Sequence, residues 1–337
     1  MNHNIIVMGA SAGGVAALKT VCGGLPRDLP AALFVVLHVA PAGHSNLPDI
    51  LSRAGPLKAH HAVDGEQVHP GRIYVAPPDQ HLILADGGTR VMLRRGPREN
   101  RTRPAVDSLF RSAAVACGSQ VVGIVLSGML DDGAEGLVAI RRCGGITVVQ
   151  DPADAEWPDM PRNAQERADA EYCSPAADLP ALLQQLAWST AGPTVPIPAE
   201  LVLEVQISCQ EIAAMGKEMA TVGKPSVLGC PECGGVLNTV GGESSPRFRC
   251  QIGHAYGLKT LIAHQTEALE LALGVAFRTQ RDRQTLFQSL ERAAIQHDQA
   301  GVASRWQSAS EEAQRSAELI ASAIETLRQP PFPTAVG

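Results

Sequence analysis

Three polar positions stand where apolar runs stop: Ser11 after Ile5-Ile6-Val7-Met8, His38 after Ala32-Leu33-Phe34-Val35-Val36-Leu37, and the Asp131-Asp132 pair after Val121-Val122-Gly123-Ile124-Val125-Leu126. A serine hydroxyl attacks a carbonyl when a base takes its proton, and an imidazole serves as that base when a carboxylate fixes its tautomer and steadies its charge. Serine, histidine and acid are therefore a full set for acyl transfer if the fold brings them together. Each also has an ordinary use: Ser11 as a helix N-cap or in a glycine-bracketed phosphate cradle, His38 as a polar strand end, either aspartate as an acid at a helix N-terminus. A second set lies downstream, where Cys230-Pro231-Glu232-Cys233 and Cys250-Gln251-Ile252-Gly253-His254 form two knuckles sixteen residues apart. Three thiolates and an imidazole close a tetrahedral site, so Cys230, Cys233, Cys250 and His254 predict structural zinc, and Gly234, Gly235, Gly241 and Gly242 suit the turns of a ribbon. A redox role for the first cysteine pair would need a thioredoxin-like surrounding pattern, which the sequence does not have.

These residues need a frame. Over residues 1–188, buried-strand runs alternate with helical stretches, which predicts an α/β domain with a doubly wound, mostly parallel, Rossmann-like sheet whose carboxyl edge holds Ser11, His38 and the aspartates. A dinucleotide fold would place an acid near the end of the second strand, about twenty residues after the glycines; His38 stands there, which weakens the phosphate-cradle reading. Residues 63–93 read as extended segments, with a hairpin turning through Asp86-Gly87-Gly88, and predict an antiparallel extension of the main sheet. An arginine-rich stretch follows (Arg90, Arg94, Arg95, Arg98, Arg101, Arg103), either a surface for an acidic partner or a loop balanced by nearby acids. Ser189-Thr190-Ala191-Gly192-Pro193-Thr194-Val195-Pro196-Ile197-Pro198 predicts a linker at 189–198. Beyond it, residues 199–330 predict a helical domain containing a zinc ribbon at 226–256. Leu201 to Ala220 carries helical periodicity, and Leu269, Leu271, Leu273, Phe277, Leu319, Ile320, Ile324 and Leu327 have helical spacing that suits a bundle around the ribbon or a self-association arm.

Composition narrows the classes. The 337 residues carry a net charge of -6, and neither half is basic, so nucleic acid is not expected as a partner. No apolar run is long enough to cross a bilayer, and the first strand begins at residue 5 without a preceding basic segment and cleavage site. Scattered apolar-flanked cysteines (Cys22, Cys117, Cys143, Cys173, Cys209) read as core thiols, so the expected location is a reducing cytoplasm.

The order of several motifs is specific. Gly9-Ala10-Ser11-Ala12-Gly13-Gly14, the strand ending in His38, Pro41-Ala42-Gly43-His44-Ser45, Gly71-Arg72-Ile73-Tyr74-Val75-Ala76-Pro77-Pro78, Val106-Asp107-Ser108-Leu109-Phe110-Arg111-Ser112 and Gly128-Met129-Leu130-Asp131-Asp132-Gly133-Ala134-Glu135-Gly136-Leu137 together resemble the catalytic domain of chemoreceptor protein-glutamate methylesterases over residues 4–187. The resemblance implies hydrolysis of glutamate methyl esters on chemoreceptor-like helical proteins with release of methanol, glutamine deamidation in many members, no cofactor in catalysis, and contact with the membrane only through the receptor. By motif position it implies Ser11 as nucleophile, His38 as base, Asp132 rather than Asp131 as the orienting acid, and the Met129 amide as an oxyanion donor. The family turn usually has glycine where this chain has Leu130. Regulated members carry an N-terminal receiver domain, and with the first strand at residue 5 control by that route is not expected here. A binding or scaffold module that keeps the fold without turnover is the alternative, and a general esterase that acts on small molecules is a third reading.

Overall fold

The structure, a computed structural model, describes residues 2–41, 43, 45–209, 223–241 and 246–327. Its centre is β1 (Ile5–Ala10), every residue of which is buried. Continuous apolar sequence of this kind belongs in a sheet covered on both faces, where successive side chains point to opposite sides. Ile5 and Val7 enter one core with Phe34, Leu109 and Phe110, while Ile6 and Met8 enter the other with Leu18, Leu33 and Leu183.

β1 lies between β2 (Ala32–Leu37) and β7 (Val121–Val125), parallel to both. The seven-stranded order is β3-β4-β2-β1-β7-β8-β9, with β3 Lys58–His61, β4 Arg72–Val75, β8 Ile146–Gln150 and β9 Tyr172–Ser174, and every pairing is parallel. From β1 the chain first moves to β2 through α1 (Gly14–Gly23) and later returns to the other side of β1 at β7. The strand order thus reverses beside β1, which opens a crevice at the carboxyl ends of these three strands.

The hairpin departs from the expected arrangement. β5 (His81–Ala85) and β6 (Arg90–Arg94) form a separate two-stranded sheet, with β6 also bridged to Gln67. It leans on α3 (Val106–Cys117) through apolar Leu82, Leu84 and Val91, and the Ser112 hydroxyl accepts the Leu84 N–H at 3.1 Å. β4, from the same stretch of sequence, instead joins the main sheet in parallel, with β3 beside it. The arginine-rich stretch is largely balanced by local acids: Arg90 pairs with Asp86, Arg94 with Asp64, and Arg95 and Arg103 with Asp79.

The four-stranded ribbon, β10 (Lys224–Gly229), β11 (Val236–Val240), β12 (Arg247–Cys250) and β13 (Ala255–Tyr256), is antiparallel throughout. The compact units divide after Thr260 rather than at 189–198, so the ribbon groups with the α/β body. A buried charge network explains the grouping. Glu204, on α7 (Ala199–Ser208), takes Arg247 through both carboxylate oxygens at 2.9 and 3.0 Å and Arg249 at 3.2 Å; Glu99 meets Arg111 of α3, Arg249 at 3.4 Å and the Ser208 hydroxyl at 2.7 Å. Glu99, Arg111, Glu204 and Arg249 are all buried. The part of the expected 201–220 helix beyond Cys209, like Ala42, His44 and Gly242, lies outside the described residues.

The second unit, Leu261–Gly337, contains most of the long α8 (Leu258–Gln296) and all of α9 (Ala300–Leu327). Phe287 and Trp306 stack at 5.7 Å, and Ala294, Ala303, Ala313 and Ala317 are buried. Leu271 and Leu319 are exposed. Within this unit α8 and α9 meet as two helices, through the Phe287–Trp306 stack and a Gln284–Gln314 hydrogen bond at 3.1 Å.

Candidate active site

The turn after β1 is built for close approach. α1 begins at Gly14 with Gly13 as its cap, so Ser11 is not the N-cap. Gly13 has φ +71°, and a Cβ there would meet the Ser127 hydroxyl at 2.6 Å and Glu156 at 2.9 Å. Ser11 N–H donates to Ser127 O at 2.9 Å, which ties this turn to the end of β7. A Cβ on Gly128 would stand 2.9 Å from that of Ser11 and would collide with the Met160 sulfur. Both glycines are thus required by space, and together they lay Ser11 against the Ser127–Asp132 loop.

His38 follows β2, its N–H donating to Ala10 O at 3.2 Å. Its Nε2–H donates to Asp132 Oδ2 at 2.7 Å, with the imidazole 15% exposed and the carboxylate almost fully enclosed. An ionised carboxylate only accepts, so the Asp132 contact places the proton on Nε2 and leaves Nδ1 as the basic nitrogen. Thr102 Oγ1 lies 3.4 Å from the same Nε2. No hydrogen bond joins Ser11 Oγ to the imidazole among the described residues; such contacts commonly tighten only when substrate arrives.

Asp132 is held by more than histidine. Its Oδ2 also accepts the Val106 N–H at 2.7 Å, while Oδ1 accepts the Asp107 N–H at 3.1 Å and an Asn100 Nδ2 hydrogen at 2.9 Å. The carboxylate thus sits on the N-terminus of α3, where free amides and the helix dipole favour negative charge. Burial opposes its ionisation, but the hydrogen bond and charge of His38, the Asn100 amide and the Val106 N–H together hold it below the usual carboxylate range. The neighbouring Asp107 goes the other way, pushed well above that range by burial and then by the Asp132 charge. Asp107 Oδ1 accepts the N–H groups of Gly133 and Gly136 at the start of α4 (Ala134–Arg142), at 3.1 and 2.6 Å.

Asp131 and Asp132 face different tasks. Asp131 accepts the backbone N–H groups of Lys259 and Thr260 at 3.1 and 3.2 Å, so it anchors the start of α8. Met129 is 49% exposed beside Ser11's turn. Leu130 adopts φ +64°, the conformation that glycine takes without strain, and its carbonyl accepts Asn163 Nδ2 at 2.5 Å. The left-handed conformation costs an ordinary residue about 1 kcal/mol or more. Leu130→Gly should therefore change the unfolding free energy by less than about 1 kcal/mol, whereas the β-branched Leu130→Val should cost at least about 1 kcal/mol in denaturant titration.

The sequence assigns no role to Asn100, Thr102 or Asp107, although Asp107 lies within one of the motifs that carry the resemblance. Asn100 and Thr102 lie among arginines with no periodicity to mark them; Asp107 had a usable signal, an acid in the first turn of a helix that opens after Pro104.

At the metal candidate, the ligand atoms of Cys230, Cys233, Cys250 and His254 all lie within 4.8 Å of one another. Cys230 and Cys250 Sγ are each 3.6 Å from His254 Nδ1, and Cys233 and Cys250 Sγ are 3.7 Å apart. A tetrahedron with metal–sulfur bonds of about 2.3 Å has edges of about 3.8 Å, so the set fits zinc. His254 Nε2 meets Glu232 Oε2 at 3.0 Å, a contact that orients the ring with Nδ1 toward the sulfurs.

The α/β body has known counterparts. A family model described as CheB methylesterase matches residues 6–183. A protein-glutamate methylesterase/protein-glutamine glutaminase of Geobacter metallireducens is 36% identical over 182 residues, 54% of this chain and 52% of that protein. One from Yersinia pestis is 40% identical over 165 residues, 48% of this chain and 47% of its own length. The chain thus spans about half the length of these relatives. The crystal structure of the Thermotoga maritima CheB methylesterase catalytic domain superimposes with a TM-score of 0.53 at 34% identity, covering 55% of this chain and all of that one. With its matched segment running through the turns that carry Ser11, His38 and Asp132, the chain belongs to the CheB methylesterase family.

Proposed function

We propose that this chain is a serine hydrolase that removes methyl esters from glutamate side chains of a chemoreceptor-like helical protein. The observation that carries the reading is the 2.7 Å hydrogen bond between His38 and Asp132, at the strand ends that also hold Ser11. Ser11 Oγ attacks the ester carbonyl carbon while His38 takes the hydroxyl proton. That proton passes to the departing methoxide as the ester C–O bond breaks, so methanol leaves and Ser11 carries the glutamyl group. Water, deprotonated by His38, then attacks the acyl carbon and restores the serine and a free glutamate. The Met129 N–H is the proposed donor to the oxyanion. With ammonia as leaving group the same steps deamidate glutamine, the second activity in the names of the relatives.

Membranes bearing a receptor with tritiated methyl esters give the direct test. The wild-type chain should release labelled methanol and Ser11→Ala should not; equal release by both would end the assignment.

Cys230, Cys233, Cys250 and His254 would hold zinc as a structural cross-link, since four protein ligands leave no open position for a substrate. Metal analysis should find about one zinc per chain, lost with Cys230→Ser combined with Cys233→Ser, and the ribbon should then become protease-sensitive. A metal-free chain with a protected ribbon would refute the site. No described helix is long and apolar enough to cross a membrane, and Cys22, Cys117 and Cys143 are buried thiols. These features suit a reducing cytoplasm, with membrane contact through the receptor and the exposed leucines of α8 and α9 available for self-association.

A further inference from the structure

The end of the ribbon reaches the carboxylate that pairs with His38 through one side chain. Asn100 is buried, with φ +48°. Its backbone N–H donates to Ala255 O at 2.8 Å, and its Oδ1 accepts the Gly257 N–H at 2.8 Å. Its Nδ2 then donates to both Asp132 Oδ1, at 2.9 Å, and Asp107 Oδ2, at 2.8 Å. Both amide hydrogens and the acceptor are therefore in use, and the ribbon contacts leave the amide one orientation. The preceding residue is fixed as well, since Glu99 pairs with Arg249 of β12 and with Arg111 of α3.

We propose that Asn100 is a positioning residue for Asp132 and that the Ala255–Gly257 end of the ribbon sets its placement, so that the hydrolytic rate depends on the ribbon being seated. The proposal rests on the reading of Ser11, His38 and Asp132 as a hydrolase. Two buried carboxylates lie side by side here, and the amide gives one hydrogen to each. On Asp132 it secures Oδ1 and so presents Oδ2 to His38. Without it, Oδ1 keeps the Asp107 N–H alone, and the carboxylate can turn. Small misplacements of an acting group cost up to about a hundredfold in rate.

The test uses the full chain and three variants. Asn100→Ala removes the amide. Asn100→Asp keeps the shape and the acceptor for Gly257 but removes both donors. Gly257→Ala acts from the ribbon side, because a methyl there would run into the Asp131 carboxylate. Each should lower kcat for labelled methyl ester, by about 10- to 100-fold for the Asn100 pair and less for Gly257→Ala, with KM within about twofold.

The far-downfield proton resonance of the His38 Nε2–H is followed in parallel, because it reports the Asp132 contact whether or not the ester is turned over. It should shift or broaden in all three variants at temperatures where each is folded by circular dichroism. Asn100 variants with wild-type kcat and an unmoved resonance would overturn the positioning role. Gly257→Ala with both unchanged would overturn the ribbon's part in it. A wild-type chain that shows the resonance and its response to Asn100→Ala but releases no methanol would count against the esterase reading and leave the positioning role standing.

Discussion

Asp132→Asn should lower kcat for methyl-ester hydrolysis by about four orders of magnitude, the size of loss seen when a triad's acid is replaced by its amide. The cause is local. Asp132 Oδ2 receives Nε2–H of His38 and the Val106 N–H, and Oδ1 receives the Asp107 N–H and Asn100 Nδ2, so all the partners donate. An asparagine must turn its own NH2 toward one pair. If it faces His38, Nε2 becomes the acceptor and Nδ1 takes the proton, which is the wrong tautomer for removing a proton from Ser11. If it faces the other way, its NH2 meets the Asp107 N–H and the Asn100 amide, and a buried donor is left without an acceptor. Single-turnover release of labelled methanol measures the loss. Asp131→Asn gives the contrast, since Asp131 serves the first amides of α8 and makes no contact with His38 among the described residues; its rate loss should be smaller by at least about two orders of magnitude.

Removing Glu204 should destabilise the larger unit by about 3–5 kcal/mol, because Arg247 and Arg249 would be left buried with one counter-charge fewer. Glu204 is 1% exposed and bonded to both arginines, and Arg111 Nε lies 3.7 Å away. Guanidinium titration of Glu204→Ala reads the loss. Glu200→Ala, which removes an exposed partner of Arg142, should cost less than about 1 kcal/mol in the same titration. The acid response has a defined sign. Burial raises the Glu204 carboxyl, but Arg247, Arg111 and Arg249 outweigh it and bring it from 4.5 to about 2. A group lowered on folding adds stability above its ordinary value and loses it as the pH falls through the folded one. The Glu204 share is therefore complete above about pH 5 and drains away toward pH 2. In Glu204→Ala this part of the acid dependence should vanish.

What could be read from sequence follows the strength of local signals. β1, β2 and β7 are unbroken apolar runs, and their shared sheet edge follows from the strand–helix alternation. Lys58–His61 and Tyr172–Ser174 have no such run; they are outer strands of the sheet, made by pairing with β4 and β8 rather than by burial. The hairpin's turn was legible at Asp86-Gly87-Gly88, but which sheet it joins depends on α3, far along the chain. The three strand-end residues were identifiable by position. The groups that hold Asp132 were not, because Asn100 and the α3 amides meet it only in the folded chain. The metal candidates were the most legible, since their spacing is local, whereas the grouping of the ribbon with the α/β body depends on arginines and glutamates that no local pattern marks.

The carboxylates of Asp132 and Asp107 are exchanged between helices. Asp132, just ahead of α4, binds the first amides of α3, and Asp107, in the first turn of α3, binds the amides of Gly133 and Gly136. Each helix start is thus closed by a residue belonging to the other, and neither acid can change without opening a buried helix end. Among the described residues the Ser11 side chain closes no helix end. On the proposed mechanism, drift in a descendant that had given up hydrolysis would therefore erase Ser11 first and leave Asp132 in place. An intact aspartate in this fold is a record of architecture, and on the proposed mechanism the serine is the residue that reports turnover.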